Sequence, residues 1–185
     1  MANDFGIIEK EKKMASRGKA WFILIAFFIF FFHLSSSAFG QDDVDTRTTL
    51  RGFSSAYVVV EPLSPQIENE GLKTDQLQKD TEAKIRSVGI KVLSKEEFFK
   101  TPGKPYLYVN ASISILKTQI TRYIFYIRVE FNQEVSLVRH PEAIVPAATW
   151  STGGWGIDFS LENIRNTVKN QVDKFVNAYL AVNPK

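Results

Sequence analysis

The chain has 185 residues, with 23 lysines and arginines, 20 aspartates and glutamates, and no cysteine. The lack of cysteine excludes disulfides, thiolate metal sites, a cysteine nucleophile and a lipid attached to a cysteine. Five of the basic and three of the acidic residues lie in positions 1–40, so the rest of the chain carries a net charge of about +1. Such a charge does not attract polyanions, and we expect no nucleic-acid partner.

An uncharged apolar run at Trp21–Leu34 follows a basic stretch and precedes the small residues of positions 35–40. These are the three parts of a secretory signal peptide, with cleavage expected before Gln41. We therefore predict that residues 1–40 are a signal peptide, with Met14 as an alternative initiator, and that the protein is secreted or periplasmic. The alternative is an uncleaved leader that anchors the protein in the membrane, although a span needs about 20 apolar residues.

After the leader, residues 41–51 are polar and aperiodic and predict a flexible arm, followed by a single α/β domain over residues 52–185. The domain opens with a strand at Ala56–Val60, which Glu61 and Pro62 close. A helix capped by Thr74 and stopped by Gly89 is predicted next. A short strand at residues 90–93 and a helical turn at residues 94–99 follow it.

Two long alternating segments come next, at Tyr106–Leu116 and Arg122–Phe131, and their odd-numbered residues are apolar. Alternation of this kind predicts strands with one covered face and one wetter face. We expect a bulge at residues 132–133. A further strand at residues 144–150 contains Pro146, which favours an edge position.

A glycine-rich loop at residues 153–156 is then expected to bury the Trp155 indole, and a final helix runs from Ser160 to Asn183. The order of elements predicts a two-layer α/β (α+β) sandwich. It has one mixed, mostly antiparallel sheet with two main helices on its apolar face. The other face of the sheet is left open.

The open face carries the predicted binding residues, which are tyrosines and arginines on adjacent strands. Such side chains concentrate the energy of binding interfaces. They are Tyr106, Tyr108, Tyr126, Arg122 and Arg128. An alternative interpretation is cross-strand pairing that only stabilises the sheet. The expected partner is an envelope protein, a peptide or a glycan, and the sequence leaves the oligomeric state open.

No pattern of catalytic residues stands out, and we predict neither a cofactor nor a metal site. His140 is the only histidine after the leader and lies in a turn-like sequence. Glu130 and Glu134 lie about 13 Å apart on an extended strand. At this separation they are a weak candidate for an acid–base pair. The prediction is therefore a non-enzymatic cell-envelope or periplasmic module. The alternative is a small extracytoplasmic hydrolase with an unrecognised carboxylate site.

Three segments of the domain also carry a resemblance. They are Thr101–Asn110 (TPGKPYLYVN), Asn132–Arg139 (NQEVSLVR) and Thr149–Gly156 (TWSTGGWG). They resemble an uncharacterised family of small secreted bacterial proteins, a domain of unknown function, over about residues 50–184. The resemblance implies a bacterial, exported, single-domain protein and implies no activity.

Overall fold

The computed structural model describes residues 40–184, and the predicted signal peptide lies outside this range except for Gly40. The strands are β1 (Ser55–Val60), β2 (Lys91–Val92), β3 (Tyr106–Leu116), β4 (Arg122–Leu137) and β5 (His140–Asp158). The helices are α1 (Val44–Thr48), α2 (Pro65–Asn69), α3 (Thr74–Ser87), α4 (Lys95–Lys100) and α5 (Leu161–Val182). None of these helices combines the length and apolar character that a membrane crossing requires.

One five-stranded mixed sheet holds the domain together, in the order β2-β1-β3-β4-β5. β1 runs parallel to β2 and β3, whereas β3, β4 and β5 pair in antiparallel fashion. The two long helices, α3 and α5, pack on one face of it. The predicted two-layer α/β sandwich is confirmed.

The core lies between this face and the two helices, and it consists of the apolar residues that alternation predicts. Val109 pairs with Val129, and both are fully buried, as is the neighbouring Phe131. The Phe131 ring stacks on Phe175 of α5 with the ring centroids 5.7 Å apart. The strand period therefore directs the odd residues of β3 and β4 at the helices.

Two irregularities of the sheet lie where the sequence predicts them. A register shift between Phe131 and Asn132 confirms the expected bulge. β5 is the outermost strand, so Pro146 does lie at an edge. Both β4 and β5 continue past the bulge as a long hairpin.

The glycine-rich segment differs from its prediction, because it is part of β5 and not a loop. Gly156 lies opposite Phe125, and a Cβ added to Gly156 would lie only 2.7 Å from the Phe125 ring. Glycine at this position therefore makes room for an aromatic ring on the helix-facing side of the sheet. Trp155 consequently points to the opposite side, where 63% of its surface is exposed. The expectation of a buried indole is wrong.

The predicted flexible arm at residues 41–51 is also different, since it is packed against the domain. It contains the short helix α1, and Leu50 is fully buried. The indole nitrogen of the buried Trp150 donates to Asp42 Oδ1 over 2.9 Å. The buried Leu50 side chain and the bond from the Trp150 indole to Asp42 therefore hold this segment against β5, because a buried donor needs an acceptor.

Candidate partner-binding face

The face of the sheet away from α3 and α5, here called the outer face, carries all the side chains that the sequence assigns to partner binding. It is formed by the even-numbered residues of β3 and of β4 up to Glu130, and by the odd-numbered residues of β5 from Ser151 to Ile157. The side chains of the outer face differ in how far neighbouring residues cover or bind them.

Tyr106 lies at the covered end of the outer face. Phe98 of α4 packs edge-on against the Tyr106 ring, with 5.9 Å between the ring centroids. The same phenylalanine lies 5.4 Å from the ring of Tyr57 on β1. Helix α4 therefore occupies this part of the sheet, and Tyr106 serves to hold it there.

Tyr108 is engaged by Glu61, which follows β1. The Tyr108 hydroxyl and the Asn110 amide both donate to the Glu61 carboxylate. The bond from Tyr108, followed by that from Asn110, lowers the pKa of Glu61. Burial, followed by the bond to Glu61, raises the pKa of Tyr108. At neutral pH the pair is therefore a carboxylate and a neutral phenol.

The two arginines have neighbours of their own but keep exposed surface. Arg128 Nη2 donates to Glu130 Oε2 over 3.1 Å, and 47% of the Arg128 side chain is exposed. The Arg122 guanidinium lies 5.6 Å from the centroid of the Phe159 ring, in a cation–π arrangement. Along β4, Arg122 and Arg128 lie on either side of Ile124 and Tyr126, near the end of the β4–β5 pair.

This end of the β4–β5 pair holds four large side chains, here called the outer patch: Ile124, Tyr126, Trp155 and Ile157. Tyr126 lies directly opposite Trp155, and Ile124 lies opposite Ile157. Their exposed fractions are 42%, 37%, 63% and 55% in chain order. Four large apolar or aromatic side chains thus form one exposed cluster on a rigid two-strand platform.

Of the five predicted residues, Tyr126 alone belongs to the outer patch. Sequence analysis missed Trp155 and Ile157 because the glycines around Trp155 were interpreted as a loop. Had the segment been taken as a strand, the alternation Gly153, Trp155, Ile157 would have placed both on one face. Glu61 was missed because its partners, Tyr108 and Asn110, are 47 and 49 positions away in the sequence.

The carboxylates of the alternative hydrolase hypothesis are each held by a cation. Glu130 accepts from Arg128, and Glu134 Oε1 accepts from Lys104 Nζ over 2.6 Å. The two glutamates lie on either side of the bulge. His140 Nδ1 lies 3.3 Å from Glu142 Oε1 at the exposed start of β5, and not in the predicted turn. Across residues 40–184, no group of three or more potential ligands is arranged to hold a metal ion.

Comparison with known proteins identifies only distant structural likeness. No family model matches the chain, and no curated protein is similar to it. A PelC dodecamer from Paraburkholderia phytofirmans, solved as a point variant and in a second crystal form, has a TM-score of 0.38 in both cases. Sequence identity is 12% and 10%, over 70% and 68% of this chain and 90% and 88% of theirs.

A minor lipoprotein from Acinetobacter baumannii has a TM-score of 0.32 and 11% identity, over 70% of this chain and 93% of its own. Likeness at this level assigns neither a family nor a function.

Proposed function

We propose that this protein is an exported, non-enzymatic module of the bacterial cell envelope that binds a partner protein through the outer patch. The observation that supports the proposal is the exposed cluster of Ile124, Tyr126, Trp155 and Ile157. Tryptophan and tyrosine, with arginines beside them, are the side chains in which binding energy concentrates. Held on paired strands, they lose little freedom on binding.

A protein or peptide partner fits the outer patch better than a glycan. Two isoleucines flank the aromatic pair, and aliphatic side chains offer a sugar no hydrogen bonds. Polar and charged groups lie around the cluster instead, among them the exposed Ser112, Ser114 and Arg128. An apolar centre with a polar rim is the usual anatomy of a protein interface.

Export is part of the proposal and rests on the basic, apolar and small-residue sequence of positions 1–40. We expect the secreted or periplasmic form to begin at Gln41, and intact mass with amino-terminal sequencing checks this. A product that keeps Trp21–Leu34 and stays with the membrane would contradict cleavage and favour an anchor.

Binding is tested by substituting the two aromatic residues, Tyr126→Ala and Trp155→Ala, singly and together. Each anchor is expected to contribute about 2 kcal/mol, or roughly a 30-fold rise in Kd. Capture of the partner from the producing cell, followed by an affinity measurement on the purified pair, gives the numbers. Neither side chain is buried, so the unfolding midpoint should change little.

A matched control is Phe99→Ala, since 61% of Phe99 is exposed and it lies on α4, away from the outer patch. This control should bind the partner as the wild type does. If the Tyr126/Trp155 double variant also binds normally, the outer patch is not the interface. If the double variant loses the binding of an added oligosaccharide and of no protein, the partner is a glycan and the choice of a protein is wrong.

A further inference from the structure

Within residues 40–184, no strand pairs with the free edge of β5 at residues 152–158, here called the edge segment. Ser151 N donates to Gln41 O over 3.3 Å, so the Ser151 amide points away from β4. Strand geometry repeats every two residues, and no bulge interrupts β5 after Ser151. The N–H and C=O groups of Gly153, Trp155 and Ile157 therefore also point outward.

These outward groups meet nothing within residues 40–184: no backbone or side-chain group in that range bonds to them. The remainder of the β5 edge is protected in the ways that natural edge strands use. Pro141 and Pro146 interrupt the distal half, and Gln41 and Thr49 cover residues 149–151. Gly40 lies against Ser151 and Thr152, and the expected cleavage before Gln41 removes it. The edge segment carries neither proline nor charge before Asp158. At the opposite edge, β2 has only two residues.

We propose that the edge segment pairs antiparallel with the same segment of a second copy, about a two-fold axis at Trp155. The segment is bounded by the covered Ser151 and by the end of β5 at Asp158, and its midpoint is Trp155. A two-fold axis there uses all the outward groups. It forms about six interstrand hydrogen bonds, because each of the three outward residues exchanges two.

Side chains also fit this arrangement. On the outer face, Ile157 of one copy lies opposite Gly153 of the other, so a large side chain meets an open position. The two Trp155 rings lie side by side at the axis, where each covers part of the surface that is exposed in the monomer. The net charge of about +1 after the leader opposes association only weakly. The dimer joins two outer patches into one surface. It rests on the cleavage before Gln41 that the proposed function includes, but not on the binding of a partner.

The lack of native cysteine allows a direct test by cross-linking. At the axis, residue 155 of one copy faces residue 155 of the other with Cα atoms about 5.5 Å apart, within disulfide reach. Purified Trp155→Cys protein, made from the full chain and shown by intact mass to begin at Gln41, should therefore oxidise largely to a covalent dimer at micromolar concentration.

The matched control is Ile144→Cys on the same strand, because 64% of Ile144 is exposed against 63% of Trp155. In the proposed dimer the two copies of residue 144 lie roughly 70 Å apart at ~3.3 Å per residue, so this variant should stay monomeric on oxidation. Equal cross-linking of the two variants would indicate random collision and overturn the proposal.

Sedimentation equilibrium gives the second readout on protein without introduced cysteine. The wild type should have twice the monomer mass. Ile157→Pro, which removes an outward N–H, should be monomeric, whereas Ile157→Ala, which keeps that N–H, should remain dimeric. A wild type that is monomeric at all concentrations would overturn the proposal. This holds also if a strand of another protein is then found to pair with the edge segment.

Discussion

Asp42 provides the sharpest test of the packing of the amino-terminal segment. Its Oδ1 accepts from the buried Trp150 indole over 2.9 Å, and Arg47 donates to both carboxylate oxygens over 2.6 and 3.0 Å. Asp42→Ala leaves the indole donor without its acceptor, which costs about 1–3 kcal/mol. The exposed ion pair with Arg47 adds at most about 1 kcal/mol. A loss of about 2 kcal/mol is expected.

Urea unfolding followed by tryptophan fluorescence measures this loss. With a urea m-value of about 2 kcal/mol/M, the midpoint should fall by about 1 M. Asp42→Asn keeps an acceptor for Trp150 and loses the charge, so its midpoint should fall by less than half as much. In a Trp150→Phe background, which lacks the donor, Asp42→Ala should cost at most about 1 kcal/mol.

The pH dependence of this contribution has a defined sign. Hydrogen bonds from Arg47 first, and then from Trp150, lower the pKa of Asp42 in the folded protein. The stabilisation is therefore fully present above the unfolded pKa of about 3.9 and is lost as pH falls through the folded value. An unchanged midpoint for Asp42→Ala, or an equal cost in the Trp150→Phe background, would refute the packing of residues 41–51 against β5.

Two further predictions concern the core and the helix layer. Phe125→Ala removes a half-buried ring over Gly156 and should lower the free energy of unfolding by about 2–4 kcal/mol. Tyr126→Ala on the outer face should lower it by less than about 1 kcal/mol. Denaturant midpoints in the reverse order would mean that the strand register is wrong. Asp80→Asn should cost about 1 kcal/mol at neutral pH, because it breaks the two-bond contact with Arg165 that joins α3 to α5. The hydrogen bond from Arg165 lowers the pKa of Asp80, so this difference should vanish as pH falls through the folded pKa; a difference that persists in acid would contradict the assignment.

The strands around the core could be predicted because their signal is local. Along residues 106–116 and 122–131 every second residue is apolar, and only one register turns all of them towards the helices. The same rule placed Tyr106, Tyr108 and Tyr126 on the correct face. Which of them stays free depends on Phe98 and Glu61, whose contacts form only in the folded chain.

The two wrong expectations have a common physical cause. Glycines at positions 153, 154 and 156 favour a turn by local propensity, but Phe125 on the adjacent strand needs the space that Gly156 leaves. Residues 41–51 have no period of their own, and Asp42 finds its partner 108 positions away at Trp150. Long-range packing decides both segments, and a single sequence does not display it.

Photo-cross-linking at Tyr126 tests the proposed function most directly. A benzoyl-phenylalanine at this position keeps an aromatic ring in the outer patch. Position 126 lies on β4, one strand in from the edge, so in the proposed dimer the two copies of residue 126 are about 14 Å apart at ~4.8 Å per strand. Irradiation of producing cells should give one discrete adduct with a different protein, and the same probe at Phe99 should give none. No adduct at position 126, or the same adducts at both positions, would contradict the outer patch as a partner-binding surface.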